Sequence, residues 1–437
     1  MRNRTRGVLS RLTVTLLPLL VPTQAVAQDR IDSGDTAWVL TSSALVLMMT
    51  LPGLALFYGG MVRTKNILSV LMQCLIAAGA VGVLWIIVGY SLVFGEGNAY
   101  VGDLELLGLA GLDPSSVSPF ADSIPAYVHV MFQGMFVIIT PALMLGAVAE
   151  RLKFSTSLSF IVLWVLLVYC PLAHMVWGGG WIEKELGALD FAGGLVVHMS
   201  SGFSALAAAI FIGKRRGFGK EPMPPNSLPL SVIGVSLLWV GWFGFNAGNA
   251  LKADGTAGLA FLTTQTATAT CVLSWTLIEW LHRGKPTVLG AATGALAGLV
   301  AITPACAYVG PMGSMAVGAG AAVLCYAAVT RLKPIFGYDD SLDVFGIHGI
   351  GGAWGALATG IFITGAALDP EVGRVEQILR QLTSIGFTAV FAVSMSWAIL
   401  FALKLILGDL RVSDEAEYEG LDLSEHSETA YGSYSPN

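Results

Sequence analysis

The chain has 437 residues, of which 55% are apolar and only 12% charged, with a formal net charge of -6. That length would allow two or three soluble domains, but so few charges cannot cover a water-facing surface, so lipid is the expected solvent. The acids sit in loops and in the C-terminal tail, a balance that points to no nucleic acid partner.

Residues 1–27 carry Arg2, Arg4, Arg6 and Arg11, a short apolar stretch from Leu12 to Val21 and then Ala25-Val26-Ala27. This pattern reads as a cleaved secretory signal. Ten apolar residues interrupted by Pro18 cannot cross roughly 30 Å of hydrocarbon as a first span. Cleavage would leave the mature N-terminus outside the cytoplasm.

Eleven segments of spanning length follow, near 38–58, 67–94, 126–149, 157–177, 191–212, 228–248, 258–281, 287–305, 313–330, 344–365 and 378–406. The runs 67–95, 191–213 and 344–368 contain no Asp, Glu, Lys or Arg, which makes them the clearest spans. With the N-terminus outside, the inner side holds 14 basic residues, among them Arg63, Arg151, Arg215 and Lys333. The outer side holds five: Arg30, Lys184, Lys252, Arg374 and Arg380. Basic residues near span ends favour the cytoplasm, so an odd number of spans and a cytoplasmic C-terminus are expected.

Cys74, Cys170, Cys271, Cys306 and Cys325 lie in or beside apolar runs without CxxC spacing, so small core residues are expected, with no disulfide framework and no metal site.

His198 and His348 are the unusual polar residues, each in a charge-free span. His198-x-x-x-Gly202 precedes Ala205-Leu206 and Ile210-Phe211-Ile212; His348-x-x-x-Gly352 precedes Ala356-Leu357 and Ile361-Phe362-Ile363. An aspartate precedes each, Asp190 by eight residues and Asp343 by five. The histidines fall on the fifth and tenth spans, and an odd number of spans per repeat forces opposite membrane orientation. The expected fold is therefore an all-α membrane protein, an inverted five-plus-five repeat with an eleventh long tilted helix. Its halves would meet at the midplane, bringing the two histidines together.

Charge is costly in hydrocarbon, and a neutral imidazole both donates and accepts a hydrogen bond. Such a pair suits a small basic solute. A single buried histidine is as readily a helix–helix hydrogen bond; two at equivalent positions argue for function. His129, His174 and His282 near span ends are expected to be structural, and His426 lies in the tail. Asp190 can cap the fifth helix and favour a nearby cation. Phe132 and Phe136 lie four apart on one helix face, and with Trp177 could hold a cation by cation–π attraction. An enzyme using histidine as base or ligand would want a third polar ligand, and the spans offer none.

FYGG (57–60), FQGMF (132–136), PLAHMVWGGG (171–180), DFAGGLVVH (190–198), GWFGFNAG (241–248), DVFGIHG (343–349) and the tail LRVSDEAEYEGLDLSEH (410–426) together resemble the ammonium transporter (Amt/Mep/Rh) family. The resemblance runs from Asp35 to Tyr431, and Trp177 and the tail point to the bacterial Amt branch. It implies a homotrimer in the inner membrane that conducts ammonium or ammonia, with methylammonium the larger analogue, and needs no cofactor. It implies recruitment at Phe132, Phe136 and Trp177, a stacked gate of Phe136 and Phe245, Asp190 as the pore-mouth carboxylate, a twin-histidine site at His198 and His348, and Trp242 lining the lower wall. Asn249 stands where bacterial members usually have serine, which puts the usual hydrogen bond to ammonium in doubt. The acidic tail, 408–437, would by composition be solvated and disordered; the resemblance implies instead that it packs beneath the 28–407 membrane domain. Together with the 214–226 loop it would meet a P-II class signalling protein. A sensor acting through a separate partner is the alternative to a transporter.

Overall fold

The computed structural model describes residues 31–431, so the expected signal over 1–27 lies outside it. Every extended element is helical; among the described residues the β content is three isolated bridges. Eight helices are long and apolar enough to cross a membrane: Ser33–Met61, Thr64–Phe94, Ala126–Val148, Phe154–Leu186, Gly194–Ile212, Leu228–Ala250, Pro311–Phe336 and Gly373–Leu407. Helices also lie over the other three predicted segments, at Gly255–Arg283, Val288–Ile302, and Phe345–Gly349 continuing into Ile350–Phe362.

The ends follow local chemistry. Asp32, Ser227, Asp254 and Thr287 cap four helices by accepting hydrogen bonds from first-turn N–H groups. Gly255–Arg283 is the most polar long helix because of its threonines, yet these are satisfied within it. Thr264 donates to the Ala260 carbonyl at 2.6 Å, Thr266 to Leu262 at 2.8 Å and Thr268 to Thr264 at 2.7 Å. Small residues let the helices approach closely: a methyl group on Gly234 would overlap the Phe57 backbone, and one on Gly318 the Ala267 carbonyl. The outer surface is apolar, with Leu273 72%, Leu281 79% and Ile406 76% exposed, as lipid rather than water requires.

One face carries the tail and a buried ion network. Glu150, whose side chain is fully buried, pairs with Arg63 at 3.0 Å and Arg215 at 2.9 Å, and Arg215 reaches Asp339 at 2.8 Å. Burial pushes the Glu150 carboxyl up, but the Arg215 and Arg63 guanidinium groups outweigh it and hold it below its ordinary value. Asp339 is likewise held low, by its bonds to Arg215. Arg151, wholly buried, donates to the Gly213 carbonyl at 2.8 Å and to Ser341 at 2.7 Å. It thus ties the end of the His198 helix to the loop entering the His348 helix.

The described part of the tail is folded, contrary to what its composition suggests. Lys153 N–H donates to Leu410 and Val412 N–H to Arg151, making a strap, and two short helices follow, Asp414–Glu419 and Leu421–His426. The acids are used rather than solvated: Glu417 accepts from Arg216 N–H at 2.6 Å and pairs with Arg411, Asp422 accepts from Ser69 N–H at 2.8 Å, and Glu425 accepts from Phe154 N–H at 2.8 Å.

Candidate functional site

Phe132 and Phe136 lie one turn apart on Ala126–Val148, with ring centroids 5.1 Å apart. Trp242, Phe245 and Asn249 are spaced three and four along Leu228–Ala250 and so share one face. The two faces meet where the Phe136 and Phe245 rings lie 4.3 Å apart, both fully buried. Trp177 meets Phe136 edge-on at 6.1 Å. The His198 ring stacks on Phe245 at 5.9 Å and on Trp242 at 5.3 Å, each at 24°. Trp242 is held by a hydrogen bond from its indole N–H to Thr303, 2.9 Å. Side chains from four helices thus form one aromatic column ending on His198.

His348 completes it. The Nδ1 atoms of His198 and His348 lie 3.2 Å apart. A contact of this kind holds one proton, so one ring donates and the other accepts. In the neutral pair the donor's Nε2 is then bare and the acceptor's Nε2 carries hydrogen. Both Nε2 atoms are buried and unpartnered among the described residues. The pair therefore presents one acceptor and one donor within an apolar column: the bare Nε2 can take a proton from an acid, and the Nε2–H can give one to a base.

The backbone explains why the pair meets. Each histidine sits in a wide helical turn, Gly194–Met199 and Phe345–Gly349, as the His198 N–H bonding to the Gly193 carbonyl five residues back shows. Such turns insert an extra residue and are frequent at functional sites, though this chain also has them elsewhere, as at Val165–Tyr169. Each histidine also has a glycine four residues on, where the other helix crosses. A methyl group on Gly202 would overlap the Gly349 backbone, and one on Gly352 would stand 3.1 Å from His198 Cβ.

Asp190 is a helix cap. Its carboxylate accepts four backbone N–H groups, from Gly193 (2.8 Å), Gly194 (2.6 Å), Leu195 (2.7 Å) and Val196 (3.3 Å). Gly193 makes this turn possible: its φ is +109°, and a Cβ there would meet Val197 at 2.7 Å. The Asp190 carbonyl accepts the Trp177 indole N–H at 3.0 Å. The counterpart before His348 is Asp340, not Asp343. Asp340 also stands eight residues before its histidine and accepts the N–H five residues on, from Phe345 at 2.7 Å. Asp343 instead pairs with Lys333 at 2.6 Å. The eight-residue spacing was visible in the sequence and identifies Asp340 by itself.

Asn249 donates its amide to the Phe245 carbonyl at 2.7 Å, leaving its oxygen as the free acceptor. His129 bonds Tyr90 at 3.1 Å, His282 bonds Tyr326 at 2.8 Å, and His174 lies between the Val93 and Asn98 carbonyls at 2.7 Å each, all outside the column. Beyond His348, a cavity of about 10 Å³ is lined by Phe57, Tyr58, Leu342, Asp343 and Ile347. That is about the room one water-sized molecule needs. It gives the FYGG segment a place on the tail side of the pair.

The family model for the Ammonium Transporter Family matches residues 37–431. The chain belongs to that family. An ammonium transporter of Bacillus subtilis (strain 168) is 46% identical over 91% of this chain and 98% of its own length. One from Mycobacterium tuberculosis (strain H37Rv) is also 46% identical, over 92% and 90%. Among solved structures, Candida albicans Mep2 superposes with a TM-score of 0.81 at 36% identity, covering 88% of this chain and 87% of its own. A protein titled Sensor Amt Protein gives 0.84 at 29% identity, over 90% and 98%. This ammonium transporter is a multi-pass membrane protein, and moving ammonium across the membrane is its function.

Proposed function

We propose that ammonium docks over Phe132, Phe136 and Trp177, loses its proton beside Asp190 or the histidine pair, and passes as ammonia along the column to the tail face. The observation that carries this is the Nδ1–Nδ1 contact with both Nε2 atoms free in an apolar surround. Shedding the proton avoids carrying a bare cation through hydrocarbon, and a potassium ion has no proton to shed. Asn249 contributes its amide oxygen at the mouth, in place of a serine hydroxyl.

The same reading makes all eleven helices spans, five and five in an inverted repeat plus Gly373–Leu407. The matched Asp190–His198 and Asp340–His348 spacings and the reciprocal glycine crossings support it. The basic residues place the tail face in the cytoplasm and the mature N-terminus outside the inner membrane. Gln265, exposed on Gly255–Arg283 and bonded to Trp239 at 3.1 Å, supports burial of that face in a homotrimer, since lipid-facing amides are costly. The folded tail and the 214–226 loop are joined through Arg411 and the Lys214 carbonyl at 2.6 Å, a continuous surface suited to a P-II class partner. An ammonium pulse on proteoliposomes, with current and internal pH recorded together, tests the reading. Internal alkalinisation is expected; the absence of both alkalinisation and current would contradict the reading and favour a sensor.

A further inference from the structure

At the rim of the tail face a cavity of about 550 Å³ opens between the ends of Gly194–Ile212 and Gly373–Leu407, lined by Lys153, Phe211, Lys404, Asp409, Arg411 and Asp414 with their neighbours. Its position is a membrane boundary. On one side Leu405 and Ile406 are 74% and 76% exposed, the state of lipid-facing residues. Trp397, Phe401 and Lys404 are spaced four and three along one helix and form a stripe leading from apolar surface to a charged head. Phe211 meets Trp397 edge-on at 5.6 Å, so the stripe adjoins the cavity.

The charges are mixed and only partly used. Arg411 is occupied by Glu417 and the Lys214 carbonyl. Among the described residues the Lys153 and Lys404 amines have no carboxylate partner, and the exposed Asp409 and Asp414 carboxylates have no cationic one. The cavity floor is held in place: Leu410 is bonded through its carbonyl to Lys153 N–H and to Thr156 at 3.0 Å.

We propose that this cavity binds the headgroup of a zwitterionic glycerophospholipid. The phosphate lies between Lys153 and Lys404, the primary ammonium reaches Asp409 and Asp414, and the acyl chains run along Trp397 and Phe401. A site of two amines and two carboxylates suits a headgroup carrying both charges better than a plain anion, because a plain anion brings no cation to pair with the two carboxylates. Bound there, the lipid would brace the strap that starts the tail.

The test uses the delipidated full-length protein and native mass spectrometry with short-chain phosphatidylethanolamine, short-chain phosphatidylglycerol and inorganic phosphate. Phosphatidylethanolamine is expected to bind more tightly than phosphatidylglycerol. Lys153→Gln with Lys404→Gln is expected to weaken it about tenfold, the worth of a lost charge-assisted hydrogen bond. Asp409→Asn with Asp414→Asn should reverse the preference between the two lipids. Ammonium flux in both double variants, unchanged from wild type, verifies that they fold. Unaltered lipid binding in the lysine variant, or no change of preference in the aspartate variant, overturns the proposal. Inorganic phosphate binding as tightly, with the same lysine dependence, overturns the lipid assignment in favour of a soluble anion.

Discussion

Gly202 packs directly on Gly349, backbone against backbone, one helical turn past His198 and one residue past His348. The crossing leaves no room for a methyl group, so Gly202→Ala must push the two helices apart. Overpacking of this kind costs about 1–3 kcal/mol, and the displacement falls directly on the histidine contact. The variant is expected to melt lower in detergent and to lose most ammonium flux. Gly386→Ala, which meets nothing within 4 Å, should do neither. Equal flux in the two variants would show that the close crossing does not set the pair.

Asp190→Asn keeps the size of the side chain but leaves one acceptor oxygen where the carboxylate offered two to four N–H groups. A loss of about 1–3 kcal/mol is expected for N–H groups left unsatisfied. Asp340→Asn, whose remaining oxygen can still accept the single N–H, from Phe345, should cost less. Thermal unfolding of the two proteins orders them, and a smaller loss for Asp190→Asn would contradict the cap.

Asn249 already has its amide committed to Phe245, so under the proposed recruitment only its oxygen is free to accept from a docking cation. Asn249→Ser keeps an acceptor and should transport with a similar KM. Asn249→Leu removes it and should raise KM about tenfold with little change in the maximal rate, as expected when a charge-assisted hydrogen bond is lost. Concentration-dependent flux decides, and an unchanged KM in the leucine variant would remove Asn249 from the site.

Glu150 is held below its ordinary carboxyl value of 4.5 by Arg215 and Arg63 despite its burial. A depressed folded value means stability that is fully present above the unfolded value and lost as pH falls through the folded one. The protein should therefore lose stability as pH drops below about 4.5. Glu150→Gln should be less stable at pH 7 by about 3–5 kcal/mol, since it strips a buried pair of one partner. It should also lose less on acidification. Parallel melting curves from pH 7 to pH 3.5 for both proteins would refute this.

Much of this was legible in the sequence, for physical reasons. Charge-free runs such as 191–213 and 344–368 announce helices, because a chain in lipid must satisfy its backbone internally. The histidine pair was legible from the two His-x-x-x-Gly patterns, and the glycine in each is now seen to admit the partner helix. The carboxylate before His348 was misplaced because Asp343 is nearer in sequence; backbone geometry, not proximity, selects Asp340. Tail composition misled because Glu417, Asp422 and Glu425 look solvated one by one. Their partners, Arg216, Ser69 and Phe154, lie on distant parts of the chain that only folding brings together. Thr303, which holds Trp242, had no local signal at all.

His198 and His348 are expected to pass ammonia while excluding a cation of similar size. The direct measurement is the current and internal pH response of proteoliposomes to ammonium and to potassium, for wild type, His198→Ala and His348→Ala. Wild type is expected to respond to ammonium and not to potassium, and each variant to lose ammonium conduction or begin to pass potassium. Unchanged ammonium flux with unchanged potassium exclusion in both variants would contradict this.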